Sequence, residues 1–255
     1  MPRSSCRAAA GLLLAMGLLA AHPADADITI LTAGAYKPVL RDLAAAFEAR
    51  SGETLIISND TAGGVAARVA RGEEIDVAIL PMGGLDTLAQ KGKIVAGTSV
   101  KLAKSGIGVV VKKGAPVPDI STVEAFKAVL LAAPSIAYID PASGGSSGIY
   151  LAKLFDGMGI AQGLKGKTVL VPGGLVASRV DNGQAALGLQ QISELRAVPG
   201  VIFVGPLPDQ IQNYTIYGGG IAAAAPRPAA GKALLAYLRG DAARQAMIAR
   251  GLEQP

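Results

Sequence analysis

The sequence contains very little cysteine and histidine. Its 255 residues include one cysteine, one histidine and no tryptophan, and aromatic side chains make up 4%. Cys6 and His22 both lie within the first 26 residues. If that segment is removed, the remaining chain cannot form a disulfide, a thiolate or imidazole metal site, or a triad with a histidine base. We therefore expect neither a metal ion nor any other cofactor.

The first 26 residues have the features of a secretory signal peptide. Arg3 and Arg7 precede an apolar run over residues 8–21, and Ala24 and Ala26 form a small-x-small cleavage signature. The run has about 14 residues, fewer than the roughly 20 needed to span a bilayer. We predict cleavage after Ala26 and a periplasmic protein of residues 27–255 that is not membrane-embedded.

The charge of the chain is mildly positive. Its 24 basic and 19 acidic residues give a net charge of +5, which falls to +4 without residues 1–26. Such an excess suits a small anionic ligand. The basic residues are scattered and are not interleaved with aromatic ones, so we expect no nucleic-acid binding. With 51% hydrophobic residues the chain can form a packed core. We expect the protein to be a monomer.

Short apolar segments alternate with amphipathic ones, which predicts an α/β fold with mostly parallel strands. The first unit is a strand over residues 28–31 followed by a helix over residues 37–50. Further strands are predicted at residues 55–58, 76–80, 107–111, 135–139, 168–171, 186–189 and 201–204. Further helices are predicted at residues 64–70, 123–131, 149–158, 175–182 and 231–248. In such sheets ligands bind at the loops that follow the strands.

Three of these loops are rich in small or hydroxylated residues. Residues 32–36 would let backbone amides approach an anion at a helix N-terminus, although an ordinary turn explains them equally well. In the second loop Thr61 could donate a hydroxyl or cap a helix, and Asp60 could cap the helix or act as a base. The third loop, residues 140–148, offers hydroxyls and amides to an anion, or only caps a helix.

The third loop also matches the G-x-S-x-G nucleophile motif over residues 144–148, between a predicted strand and a predicted helix. A hydrolase of that type needs a histidine base, and residues 27–255 contain none. We therefore reject this match. Two more polar loops, residues 190–194 and 212–215, could orient a ligand or lie at the surface.

Several segments together resemble the periplasmic molybdate-binding proteins of ABC importers. They are the signal peptide, the first strand and loop, and the segments of residues 72–77, 85–92 and 182–185. The resemblance extends over residues 27–251 and rests on their order and spacing. It implies the type II periplasmic binding-protein fold, with two α/β lobes joined by crossing strands around a ligand cleft. Lobe 1 would contain residues 27–107 and 218–255, and lobe 2 residues 108–217.

This resemblance implies a periplasmic solute-binding protein that captures a small anion, either a polycarboxylate or an oxyanion such as molybdate. The partner would be an ABC permease, and a sensor or signalling protein stays an alternative. The ligand would contact Ala33, Gly34, Tyr36, Thr61, Ser146, Ser147, Gly148, Gln191 and Tyr214.

The chain departs from the molybdate-binding pattern at two loops. Tyr36 stands where those proteins have a serine, and Asp60 and Thr61 lie where a second serine is expected. These changes suggest a larger, asymmetric anion. In them the chain is similar to the periplasmic aconitate isomerases, which interconvert trans- and cis-aconitate by an allylic proton shift without a cofactor. The acid/base candidates are then Asp60, Lys37, Glu194 and Tyr36. We place the binding protein first because it requires no catalytic residue.

Overall fold

The structure, a computed structural model, describes residues 27–255. The predicted signal peptide and its cleavage site after Ala26 lie outside the described residues, as do Cys6 and His22. Over residues 27–255, no helix combines the length and the apolar character that crossing a membrane requires.

The described chain forms two five-stranded sheets. The first has the order β2 (Leu55–Asp60), β1 (Ile28–Ala33), β3 (Val77–Pro81), β10 (Thr215–Ile221) and β4 (Val100–Ser105). The second has the order β7 (Thr168–Val171), β6 (Ile136–Ile139), β8 (Leu187–Gln191), β5 (Ile107–Lys112) and β9 (Val201–Pro206). Each predicted strand is confirmed to within two residues at either end. Two strands, β4 and β10, were not among those predicted.

Only half of the strand pairings are parallel, so the prediction of mostly parallel strands is wrong. In the first sheet β1 pairs in parallel with β2 and β3, and in the second β6 pairs in parallel with β7 and β8. The strands β10 and β5 pair antiparallel with both of their neighbours. These two strands arrive directly from the other sheet, without the crossover helix that parallel neighbours need.

Helices cover both faces of each sheet. Beside the first sheet lie α1 (Lys37–Ser51), α2 (Ala62–Ala70), α3 (Met82–Gln90), α9 (Pro228–Tyr237) and α10 (Asp241–Ala249). Beside the second lie α4 (Val123–Ala132), α5 (Ser146–Gly157), α6 (Ala161–Leu164), α7 (Ala177–Asp181) and α8 (Ile192–Leu195). The single helix predicted for residues 231–248 is wrong, because Gly240, a poor helix former, separates α9 from α10.

Alternate residues of a strand contribute to different apolar clusters. Ile28 and Ile30 pack in the cluster on one face of the first sheet, whereas Leu31 and Ala33 pack in the cluster on the other face. The second sheet likewise has an apolar cluster on each face. Burial of both faces explains why the strands are short apolar runs, which made them predictable.

The chain crosses between the two sheets at two places. Only Gly106 separates β4 from β5, and residues 207–214 connect β9 to β10. The side chain of Gln212 joins the two crossings, since its amide donates to the carbonyl of Ile107 and accepts from the Ile107 amide, both at 2.9 Å. The predicted lobe limits at residues 107/108 and 217/218 fall within three residues of these crossings and stay predictions.

Candidate functional site

A narrow pocket lies at the carboxyl ends of β1, β2, β6 and β8, and we call it the inner pocket. Its cavity volume is about 30 Å³. Two of these strands belong to each sheet, so loops of both lobes form its walls. It is lined by Ala33, Gly34, Ala35, Asn59, Asp60, Thr61, Ala62, Ile139, Gly145, Ser146, Ser147, Gly174, Gln190, Glu194 and Tyr217.

Two hydrogen bonds join the loop after β2 to the loop after β6. The hydroxyl of Thr61 donates to the carbonyl of Ser143 at 2.5 Å, and the amide of Gly63 donates to the carbonyl of Gly144 at 3.0 Å. A Cβ on Gly63 would lie 2.9 Å from the Cα of Gly144. Glycine is therefore required here for the two lobes to meet.

A third hydrogen bond joins the lobes on the opposite side of the inner pocket. The hydroxyl of Ser193 donates to the carbonyl of Ala35 at 2.7 Å. The next residue, Glu194, then lies against Gly34, where a Cβ would be 2.2 Å from the Oε1 atom of Glu194. The absence of a side chain at Gly34 is what makes room for this carboxyl group.

Glu194 is the buried acid of the site, with 8% of its surface exposed. Its Oε1 atom accepts a hydrogen bond of 2.8 Å from the amide of Gln190. The same Gln190 amide donates to the carbonyl of Gly174 and accepts from the amide of Val176, which fixes its orientation. No ion pair found within residues 27–255 includes Glu194. Burial therefore raises the pKa of Glu194 to about 8.

Hydrogen-bond donors lie on the wall beside Glu194. The hydroxyl groups of Ser146 and Tyr217 are 3.2 Å apart, and Ser147 is buried next to them. Burial, and secondarily the nearby Glu194, raises the pKa of Tyr217, so this phenol stays protonated. Ser146 begins α5, whose first amides have no acceptor within the helix. A helix N-terminus with free amides attracts a carboxylate or another anion.

Asp60 and Thr61 also line the inner pocket, and Thr61 is the N-cap of α2. The Asp60 carboxylate accepts from the amide of Thr61 at 2.7 Å and lies 3.8 Å from the guanidinium of Arg68. The hydroxyl of Thr61 accepts from the amide of Gly64 at 3.0 Å. The side chain of Asp60 is 40% exposed. The exposure of Asp60 and its contact with Arg68 argue against its interpretation as a base, and of the two residues predicted to cap α2 only Thr61 does so.

The structure brings seven of the predicted site residues together in this pocket: Ala33, Gly34, Asp60, Thr61, Ser146, Ser147 and Glu194. Lys37 lies in an adjoining outer pocket. Tyr36 is fully buried in the apolar cluster of the first sheet, and Tyr214 is exposed, with the Lys104 ammonium 4.5 Å from its ring. Gly148 lies beneath the pocket against the carbonyl of Ile139.

Gln191 is buried at the crossing between the sheets and does not line the inner pocket. The amide nitrogen of Gln191 donates to the carbonyls of Gly106 and Ser105, at 3.1 and 3.3 Å. Its amide oxygen accepts from the hydroxyl of Thr215. This side chain therefore holds the crossing strands together.

Among the lining residues that were not predicted as site residues, three have polar side chains: Asn59, Gln190 and Tyr217. Side chains alternate along a strand, so Gln190 and Gln191 of β8 point to opposite faces. Likewise Tyr217, and not Tyr214, lies on β10 where that strand passes the pocket. The signal that could have identified Tyr217 is its position directly before three glycines inside an otherwise apolar strand.

No group of three or more His, Cys, Asp or Glu side chains within residues 27–255 could hold a metal ion.

Replacement of Tyr36 by phenylalanine should stabilise the protein. The Tyr36 hydroxyl is buried and has no hydrogen-bond partner among the described residues, which costs free energy. We expect Tyr36→Phe to raise the free energy of unfolding by about 1 kcal/mol, measured by urea denaturation. Ligand affinity should change less than about twofold, and a large loss of affinity would instead support contact between Tyr36 and the ligand.

Comparison with known proteins is consistent with this architecture. The model of the bacterial extracellular solute-binding protein family matches residues 28–253. The chain is 39% identical, over 259 aligned residues, to an aconitate isomerase of a Pseudomonas species, covering 99% of this chain and 97% of that protein.

Solved structures show the same fold at low sequence identity. The periplasmic molybdate-binding protein of Azotobacter vinelandii superposes with a TM-score of 0.74 at 18% identity, covering 89% of this chain and 99% of the other. PEB3 of Campylobacter jejuni, with L-phospholactate bound, gives a TM-score of 0.68 at 14% identity, with 90% and 100% covered. The fold is thus that of the type II periplasmic binding proteins, and the chain belongs to the bacterial extracellular solute-binding protein family.

Proposed function

We propose that this protein is a cofactor-independent isomerase of small polycarboxylates that interconverts trans- and cis-aconitate. The observation that carries this proposal is Glu194, an acid that forms no ion pair with any residue of the described chain and is buried in a pocket between two lobes. The full-length similarity to an aconitate isomerase supports it. Proton transfer is most efficient with a group whose pKa is near the working pH, and a buried carboxyl group meets that requirement.

The reaction needs one group that moves a proton between two carbon atoms. A base removes a proton from the methylene carbon of the substrate, and the carbon–carbon double bond moves by one position. The negative charge is carried meanwhile by the adjacent carboxylate. The proton is then delivered to the former vinyl carbon. No atoms or electrons are gained or lost, so no cofactor is required.

Glu194 has suitable properties for both proton transfers. With a pKa of about 8, about 10% of the carboxyl groups are ionised at pH 7, and the ionised form is a stronger base than an ordinary carboxylate. The protonated form can return the proton. Because most Glu194 groups are neutral at pH 7, an anionic substrate can enter the pocket without strong repulsion. Gln190 orients the carboxyl group through its hydrogen bond.

The donors beside Glu194 would bind the substrate carboxylates. The first amides of α5 and the hydroxyls of Ser146 and Ser147 can donate to one carboxylate. The phenol of Tyr217 can donate to the carboxylate that accumulates charge during the reaction, and this interaction strengthens as the charge develops. Closure of the lobes over the pocket excludes water from the carbanionic intermediate.

Anion capture for an ABC permease is the second candidate function. It is favoured by the three hydrogen bonds between the lobes, a closure that retains a ligand without any chemistry. The ligand would be a polycarboxylate or an oxyanion such as molybdate, and a sensor could replace the permease. Under either function we propose a periplasmic monomer from which residues 1–26 are removed as a signal peptide.

Turnover should depend on the carboxyl group of Glu194. Wild-type protein at substoichiometric concentration should convert trans-aconitate to the cis isomer, followed by the vinyl and methylene proton signals in NMR. Glu194→Gln keeps the shape and the hydrogen bonding but cannot exchange a proton with carbon. We expect it to lower the rate at least 1,000-fold, while trans-aconitate still binds in calorimetry.

Asp60→Asn is the matched control, because it makes the same chemical change at a second acid of the same pocket. We expect its rate to stay within about fivefold of wild type, since Asp60 is partly exposed and lies beside the guanidinium of Arg68. Equal losses in the two variants would contradict the assignment of the base to Glu194.

If the wild type binds trans-aconitate without converting it, anion capture remains as the function. If it does not bind trans-aconitate, an oxyanion is favoured as the ligand.

The stability of the protein should depend on pH through Glu194. Folding raises the pKa of this group from its usual 4.5 to about 8, so the folded state binds more protons than the unfolded state between these pH values. Stability is therefore lost as pH rises from about 5 to 8, by up to about 1.4 kcal/mol per pH unit. Glu194→Gln lacks this loss, and urea denaturation should show its advantage over wild type growing to pH 8 and levelling above it. A constant difference at pH 5, 6.5 and 8 would contradict the raised pKa.

A further inference from the structure

A second, larger pocket adjoins the inner pocket on its outer side, and we call it the outer pocket. Its cavity volume is about 250 Å³. It shares Gly34, Asn59, Gly174 and Glu194 with the inner pocket. Because Glu194 borders both, a single ligand beside this carboxyl group can extend into both pockets.

Three cationic side chains line the outer pocket: Lys37, Arg41 and Arg250. Lys37 and Arg41 lie one turn apart on α1, close to its N-terminus. Burial, and secondarily the charge of Arg41, lowers the pKa of Lys37. Two neighbouring cations repel each other, and this repulsion is relieved when an anion lies between them. The ammonium of Lys37 also donates a hydrogen bond to the amide oxygen of Asn59.

The three cations differ in their existing partners. The guanidinium of Arg250 donates to both carboxylate oxygens of Asp42, at 2.6 Å each, so it is held in place and largely neutralised. No ion pair found within residues 27–255 includes Lys37 or Arg41. These two charges are therefore available to a ligand, at a place where the nearest acid of the inner pocket, Glu194, is mostly neutral.

We propose that the outer pocket is a carboxylate-binding site, in which Lys37 and Arg41 select tricarboxylates over dicarboxylates. One carboxylate of the ligand binds the donors at the start of α5, the carbon frame lies beside Glu194, and a further carboxylate extends to the two cations. The inference rests on the proposed function in taking the ligand to be a polycarboxylate, but it does not depend on whether that ligand reacts.

Calorimetry with unreactive ligands tests this selectivity. Tricarballylate has the aconitate skeleton without the double bond, glutarate lacks its central carboxylate, and 2-methylsuccinate lacks a terminal one. We compare the wild type with Arg41→Gln and with Arg50→Gln. Arg50 is the matched control, because it is an exposed arginine on the same helix but does not line the outer pocket.

Arg41→Gln should weaken tricarballylate binding about tenfold and change the affinity for at least one of the two dicarboxylates less than twofold. Arg50→Gln should change none of the three affinities more than twofold. An Arg41→Gln variant with no effect, or with an equal loss for all three acids, would overturn the inference. Its failure is distinct from that of the proposed function, since selective loss can occur in a protein that binds trans-aconitate without converting it, and turnover can occur without selective loss.

Discussion

The hydrogen bond from the Ser193 hydroxyl to the Ala35 carbonyl is the contact on which the chemistry of the site depends. It joins the beginning of α8 in one lobe to the loop after β1 in the other. Glu194 is thereby brought against the backbone of Gly34 and removed from water. The Gln190 amide orients the carboxyl group, and the Ser193 contact keeps the opposite wall of the pocket against it. The basicity of the acid is thus a consequence of how the two lobes meet.

The neutral and the cationic groups of the site lie at different depths. The inner pocket contains a mostly neutral acid, neutral hydroxyls and free amides, whereas the outer pocket contains the cations Lys37 and Arg41. A ligand with several carboxylates meets positive charge first and hydrogen-bond donors second. This order allows one group to remain basic in a site proposed to bind anions, because burial is what raises the pKa of Glu194.

The fold was largely predictable from the sequence, and the site was predictable in part. The strands are apolar runs buried on both faces, and the loops that follow them did form the pocket. Selecting Gln190 over Gln191 requires knowing which face of β8 meets the cleft, and a one-residue shift reverses that choice. Selecting Tyr217 over Tyr214 requires knowing where β10 begins and which part of it passes the pocket. Glu194 was one of four acid/base candidates of equal standing, because its burial arises from the approach of two lobes distant in sequence.

Closure by individually weak hydrogen bonds has a consequence for the speed of the proposed isomerase. The three bonds that join the loops around the inner pocket contribute on the order of 1 kcal/mol each. A transport component can remain closed until a permease opens it. A catalyst must open unaided in every cycle, and lid or domain motions of this kind take microseconds to milliseconds. The weakness of the closure therefore permits product to escape quickly, and a tighter closure would make escape the slowest step.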